Sequence, residues 1–531
     1  MARQNHSAHL PRLACLGGLL ASVTLTGTAA AQGPMPSGTI KARMGGDWDT
    51  LDPQRARATY GYQMIYSLYD RLVSLEDGKI VPSLAASWEV GPNEITLKLR
   101  QGVTCADGSP ITPEVVAASL QRLGAADTKA PYAYRTLGRS GFTVTPDAAA
   151  GTVRLTLSAP NSDLLLGLAM PWASIICKAG LDHPDTLAAQ SAGSGPFTLA
   201  EVKRGDSYTL KARPDYAWGP TGASTAVAGF PQTLVFRVID NQSTAANLLL
   251  THELDTAYIF GQDIDRLSHE PGLTRIDAMA IGAEALTFHQ GSGHPTADPQ
   301  VRRALALAID GNAYNRAAYF GYGRTMNTLT TPTMNCYDES LGKYAIPIDP
   351  EGAKKLLAQD GWKPDADGKL AKNGQKLVIR IVGSKTQNSG PEYILEALTD
   401  LGVTASVNVS DFPSWIDLLV KTDNWDVTVD PLGSVMPSPS IFYGQLAGAA
   451  PPNGGNFPRI QNAAYEAAAA RAMTAAPADR CPDWHEAERA MLDANDVKPL
   501  VVQANAVFSR NVTLKMFTVN VLSPISLRIV K

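Results

Sequence analysis

The chain has 531 residues, 44% hydrophobic and 18% charged, a globular balance that excludes a disordered or fibrous chain and allows roughly two to four domains. Its formal charge is −4. No basic stretch is interleaved with aromatics, which argues against nucleic acid as a partner.

Arg3 and Arg12 precede an apolar run from Leu13 to Leu25, and Ala29-Ala30-Ala31 fits an A-x-A cleavage site before Gln32. Residues 1–31 therefore read as a secretory signal peptide, to be left out of fold reasoning. Cys15 lies before most of the apolar run, which sets a lipid anchor aside. Without the leader's two arginines the balance is 44 basic against 50 acidic side chains, a formal −6. No later run approaches the ~20 apolar residues of a membrane helix; Leu164 to Cys177 is short and holds Pro171. An exported, soluble protein is expected.

Cys105, Cys177, Cys336 and Cys481 remain. An even count in an exported chain favours disulfides. Of the three possible pairings, Cys105–Cys177 and Cys336–Cys481 keep each bridge within one block of sequence. No two cysteines are spaced as a zinc clip requires.

In chain order, residues 38–43 read as a first strand, followed by the loop 45–53. Ile95, Leu97 and Leu99 alternate with Thr96, Lys98 and Arg100, a strand with one buried face. Asp107-Gly108 is a turn. Thr112-Pro113-Glu114 then starts a helix: a capping hydroxyl, a proline with no N–H to leave unpaired, and an acid at the positive dipole end. Further strands are expected at 152–157, 208–212, 233–238, 377–382, 405–409 and 425–429. Helices are expected at 243–250, 392–401, 415–421 and 463–473. Asp298-Pro299 and Asp349-Pro350 repeat the cap-then-proline device. Alternating strands and helices predict an α/β fold with parallel pairing.

Several of these segments together resemble one family. "LAASWEV" (84–90) and "LKLRQGVTCADGSPITPEVVAASLQRL" (97–123) look like its signature. "GSGPFTL" (193–199), "LLTHELDTAYI" (249–259), "VRRALALAID" (301–310), "DPEGAKKLLAQDGW" (349–362) and "NWDVTVD" (424–430) follow in the expected order. Each is weak alone; their order from about residue 38 to 531 is specific. The chain is similar to the family 5 periplasmic solute-binding proteins of ABC importers, which take peptides, nickel and opines. The resemblance implies a two-lobed α/β Venus flytrap (type II, cluster C) with an extra domain inserted in the first lobe. The expected layout is 38–78 first lobe, 79–192 inserted domain, 193–288 first lobe again, 289–497 second lobe and 498–531 return to the first. It further implies a monomer without cofactor or catalytic residues. Its partners would be a peptide or other small solute and the permease subunits of the importer.

The resemblance places the loop 45–53, Tyr60 and Tyr62 near the cleft, with core packing as the rival role for either tyrosine. Tyr258 and Phe260 follow the strand of the "ELDTA" segment and should leave the sheet where ligands bind. Trp415, at a helix start, is a better ligand candidate than Trp425, which reads as structural. In dipeptide-binding relatives the loop matching 430–446 supplies an acid for the peptide amine. That acid falls near Ser438, and Asp430 is the nearest carboxylate here. Where such relatives place an arginine for the C-terminal carboxylate, only Lys385 is basic, a point charge without the bidentate fork. A buried terminus without its partner costs several kcal/mol, which argues against a short peptide held by its ends. An opine, oligosaccharide or metal chelate is the alternative solute. His289 and His294 are five apart but have no convincing carboxylate or cysteine shell, so no metal site is assigned. Ser194 lacks the G-x-S-x-G elbow and Gly291–Gly293 lacks a third glycine, which leaves an exported hydrolase as the least favoured reading.

Overall fold

The computed structural model describes residues 37–432, 436–518 and 521–530; the expected signal peptide lies outside them. Local rules hold where they were clearest. Glu94–Leu99 is a strand with Ile95, Leu97 and Leu99 buried. The hydroxyl of Thr112 accepts from the N–H of Val115, and the helix Pro113–Gly124 buries Val116, Leu120 and Leu123. Asp298 and Asp349 cap their helices in the same way, at Gln300 and Gly352. Each such cap is worth about 1 kcal/mol.

The strands form two large sheets and a smaller one. The smaller runs Ala85–Val90, Glu94–Leu99, Thr152–Leu157, Phe142–Asp147, wholly antiparallel, and is the sheet of the inserted domain. The seven-stranded sheet has Thr39–Met44 at its centre, parallel to both Thr233–Val238 and Thr256–Phe260. The six-stranded sheet has Val378–Ser384 parallel to both Thr404–Ser410 and Val427–Pro431. Parallel pairing therefore holds at the expected α/β units. The remaining pairs in the two large sheets are antiparallel, including Ala504–Ser509 against Thr256–Phe260 and Glu284–Phe288 against Val427–Pro431. Phe197–Lys203 and Ser207–Ala212 are joined by a short link and so can pair only antiparallel, because a parallel return needs a long crossover.

The layout differs from the expected boundaries at three places. Glu284–Phe288 and Val497–Val502 both belong to the six-stranded sheet, so the chain leaves the first sheet after Met279, not at 288, and returns at Ala504, not at 498. The crossings are residues 280–283 and Gln503, and Gly282 supplies the first with a positive φ of 86°. The hairpin Val73–Glu76 with Lys79–Pro82 spans the junction expected at 78/79. The helices Ala463–Thr474 and Cys481–Asp493 pack into the same apolar cluster as the first sheet and the inserted domain. Among the described residues no helix is long and apolar enough to cross a membrane.

The inserted domain is tied to the first lobe at the loop 45–53. Arg122 Nη2 lies 2.6 Å from Asp52 Oδ2, and Gln54 Nε2 donates to the carbonyl of Ser119. Both bridges form as expected, Cys105–Cys177 and Cys336–Cys481. His485 donates from Nε2 to the carbonyl of Cys336. The first bridge closes a loop spanning 72 residues. Replacing both its cysteines by serine is expected to cost about 2–4 kcal/mol, read as a lower denaturation midpoint without reductant.

Candidate functional site

The parallel strands Thr39–Met44 and Thr256–Phe260 end at the same edge of the first sheet. Gly45 and Gly46 follow the first of them, and the helix Thr59–Leu68 sets Tyr60 against both. A Cβ there would stand only 2.8 and 2.7 Å from its ring. Only glycine permits this approach. Tyr60, 40% exposed, shares a pocket with Arg43, Gln63, Gln242, Tyr258 and Phe260. Arg43 is buried and donates to the carbonyls of Ile239, Asp240 and Tyr258 and to Gln242, which fixes this wall. Three of the predicted residues, Tyr60, Tyr258 and Phe260, therefore come together. Tyr62 does not join them. It is buried and faces Tyr132 and Arg135 of the inserted domain.

Beside the crossing the second lobe carries two buried acids. Glu284 opens its strand beside the crossing, and Asp430 ends the neighbouring strand. Tyr319 donates to Glu284. Burial nevertheless pushes the Glu284 carboxyl up to about 7. Burial alone pushes Asp430 up to about 7, and its Oδ2 has no hydrogen-bond partner among the described residues. Tyr258 stands near enough to Tyr319 to oppose its ionisation, and a Cβ on Gly261 would lie 3.8 Å from the Phe320 ring. The lobes touch here. Asn505, the Cα partner of Phe260, is 2% exposed, and neither side-chain polar atom has a partner among the described residues. An unpaired buried amide costs free energy that a solute could recover. Sequence reasoning missed Asn505 and Glu284; the only available signal was a polar residue beside each crossing.

At the inserted domain, Ser438 is fully buried and its Oγ donates to Asp163 Oδ2 at 2.7 Å. Ser440 donates to the same oxygen. Arg480 forms an ion pair with Asp163 and donates to the carbonyl of Ser162. A carboxylate therefore stands beside position 438 after all, but it comes from another domain and is already neutralised.

Lys385 is exposed, and its charge acts on Asp411. Trp415, expected to wall the ligand, is 1% exposed and donates from Nε1 to Thr428 at 3.1 Å. It packs with Val382, Leu419, Trp425 and Phe457. Its indole faces protein on every side because the helix Phe412–Lys421 lies against the strand Val378–Ser384. His289 and His294 stack at 3.7 Å and bond Asp423 and Asp426 respectively. Burial is the main cause that lowers His289 to about 4.

Two sheets joined by two short crossings, with facing polar and aromatic groups, define a solute-clamping protein. The profile of the bacterial extracellular solute-binding proteins, family 5 (middle region), matches residues 79–454. The chain belongs to that family, whose members are solute-binding proteins and not enzymes. It is 25% identical over 540 residues to the periplasmic murein peptide-binding protein MppA of Escherichia coli, covering 94% of each. A substrate-binding protein from Microbacterium hydrocarbonoxydans, solved with 4-hydroxybenzoate hydrazide, is 27% identical. It superimposes with a TM-score of 0.75 over 93% of this chain and all of that one. The Bacillus subtilis oligopeptide-binding protein AppA, solved with a nonapeptide, shares the fold at a TM-score of 0.76 and 17% identity, over 94% of this chain and 100% of its own.

Trp415→Ala is expected to cost about 3–5 kcal/mol of stability, measured by chemical denaturation, rather than to act on binding alone. The two buried acids have a definite sign. Their folded pKa lies above the unfolded value, so the folded state holds protons that the unfolded state has lost. Their contribution is complete below the unfolded pKa and fades as pH rises toward about 7. Asp430→Asn should remove on the order of 2–3 kcal/mol of the decline between about pH 4 and 7, read from denaturant midpoints of variant and parent.

Proposed function

We propose that the chain is the extracytoplasmic receptor of an ABC importer, exported with cleavage near Ala31. It acts as a monomer that closes on a peptide or peptide-like solute and presents it to a membrane permease. The observation that carries this reading is the gathering of polar and aromatic groups on both sides of the crossings, among which the Asn505 amide and Asp430 Oδ2 have no partner among the described residues. Asn505 and the Tyr60–Tyr258–Phe260 wall belong to the first lobe, Asp430 and Glu284 to the second. A solute that bonds groups on both lobes binds the closed form better than the open form, and that difference drives closure.

A second reading, a non-peptide organic solute, is favoured by a specific feature. Neither end of a dipeptide's charge clamp is free: Asp163 beside Ser438 is paired to Arg480, and Lys385 is exposed beside Asp411. The 27% identical relative was solved with an aromatic hydrazide. A thermal-shift screen of the mature protein against di- to pentapeptides, opines, sugars and metal chelates separates the two readings. Tyr60→Ala and Phe260→Ala are each expected to weaken the solute found about tenfold (about 1.4 kcal/mol). Unchanged affinity in both variants, measured by titration calorimetry, would remove this wall from the site.

A further inference from the structure

The two disulfides stand in different surroundings. Cys105 and Cys177 are each 1% exposed. Cys336 and Cys481 are both half-buried, so theirs is the bridge that a reductant meets first. Cys481 is also the first residue of the helix Cys481–Asp493. The free N–H groups and dipole of a helix start favour a thiolate there, which makes Cys481 the better leaving group in thiol–disulfide exchange. Cys336 has a positive φ of 60°. A non-glycine residue keeps that left-handed conformation only where its surroundings impose it, and the bridge is the covalent part of those surroundings.

The bridge fastens a segment that lies against the first crossing. The N–H of Ala283 donates to the carbonyl of Leu329, and the N–H of Gly282 to Thr331 Oγ1 at 3.3 Å. The hydroxyls of Thr331 and Thr333 stand 3.4 and 3.3 Å from the carbonyl oxygen of Ala280. Both ends of this segment are anchored. At the near end the buried Glu488 accepts from the N–H groups of Leu329 and Thr330 and from the Thr330 hydroxyl. At the far end stand the bridge, the hydrogen bond from His485 Nε2 to the carbonyl of Cys336, and that from the N–H of Asn335 to the carbonyl of Pro437.

Resting on the two-lobed receptor reading, we propose that the Cys336–Cys481 bridge is a redox-sensitive brace on the hinge. Closed, it holds Thr331 and Thr333 against the first crossing; opened by a dithiol reductant, it frees that crossing. A thiolate of the reductant attacks Cys336 Sγ, the bond between the two sulfurs breaks, and Cys481 leaves as the thiolate. The reductant's second thiol then attacks the mixed disulfide, Cys336 leaves in turn, and the reductant ends as its own disulfide. Two electrons pass to the protein, and the two protons of the dithiol end on the cysteines. Glu488 keeps Leu329 in place throughout, so the loosening is confined to the Ala280–Gly282 side of the crossing.

The test uses the mature protein in buffers of reduced and oxidised dithiothreitol, without denaturant. Differential alkylation read by mass spectrometry shows which cysteines have opened. Cys336 and Cys481 are expected to open at a reduced-to-oxidised ratio about tenfold lower than Cys105 and Cys177. Amide hydrogen exchange is then followed with only the Cys336–Cys481 bridge reduced. Exchange at 280–282 should quicken about threefold or more, while Ala283 and the central strand Thr39–Met44 keep their rates. The double variant Cys336→Ser/Cys481→Ser should show the same pattern without reductant. A bridge that opens no earlier than Cys105–Cys177, an unchanged rate at 280–282, or a rise shared by the central strand overturns the proposal. Each of these outcomes keeps the receptor reading, which falls only if every solute class in the screen fails to bind.

Discussion

The site depends on the way the chain passes between its two sheets. Among the described residues it crosses through residues 280–283 and again through Gln503. The crossings join strands that neighbour one another in both sheets: Thr274–Met279 beside Ala504–Ser509, and Glu284–Phe288 beside Val497–Val502. The two straps therefore run side by side. A pair of short adjacent straps lets the lobes rotate while each sheet stays rigid, since a few backbone dihedrals absorb the change. Everything that faces the straps becomes a candidate ligand contact.

That geometry explains why, among the described residues, polar groups near the hinge are left without partners. Within a sheet, backbone and capping interactions satisfy nearly every buried donor and acceptor. Asn505, Asp430 and Glu284 stand where one sheet ends and the other begins, and each keeps at least one side-chain atom without a partner among the described residues. The Asp163–Arg480 pair is the opposite case. It is buried and supplied with further hydrogen bonds from Ser438 and Ser440. Such a pair adds little net stability after desolvation, but it penalises any arrangement that separates its members. It ties the inserted domain to the start of the helix Cys481–Asp493.

Much of the local structure was legible beforehand. The caps at Thr112, Asp298 and Asp349, the strands Thr152–Leu157 and Thr233–Val238, and both disulfides were read correctly from spacing and residue type. The site was only partly legible. Tyr258 and Phe260 follow from a strand end at the sheet edge and Tyr60 from the family resemblance, and the three line one pocket. Trp415 was misjudged as a wall because an amphipathic helix start does not say which body covers it; the structure buries it against Val382, Trp425 and Phe457.

The sequence by itself determined the leader-like start, the α/β elements with their caps, the pairing of cysteines within blocks, and the family. These rest on short-range periodicity and on motifs that span few residues. Tertiary structure alone decided that the chain crosses at 280–283 rather than at 288, and that Asp163 stands beside Ser438. It also decided that Asp430 is enclosed. Those facts join residues as far apart as 275 positions in the chain, and no local pattern encodes which distant surface will close over a side chain.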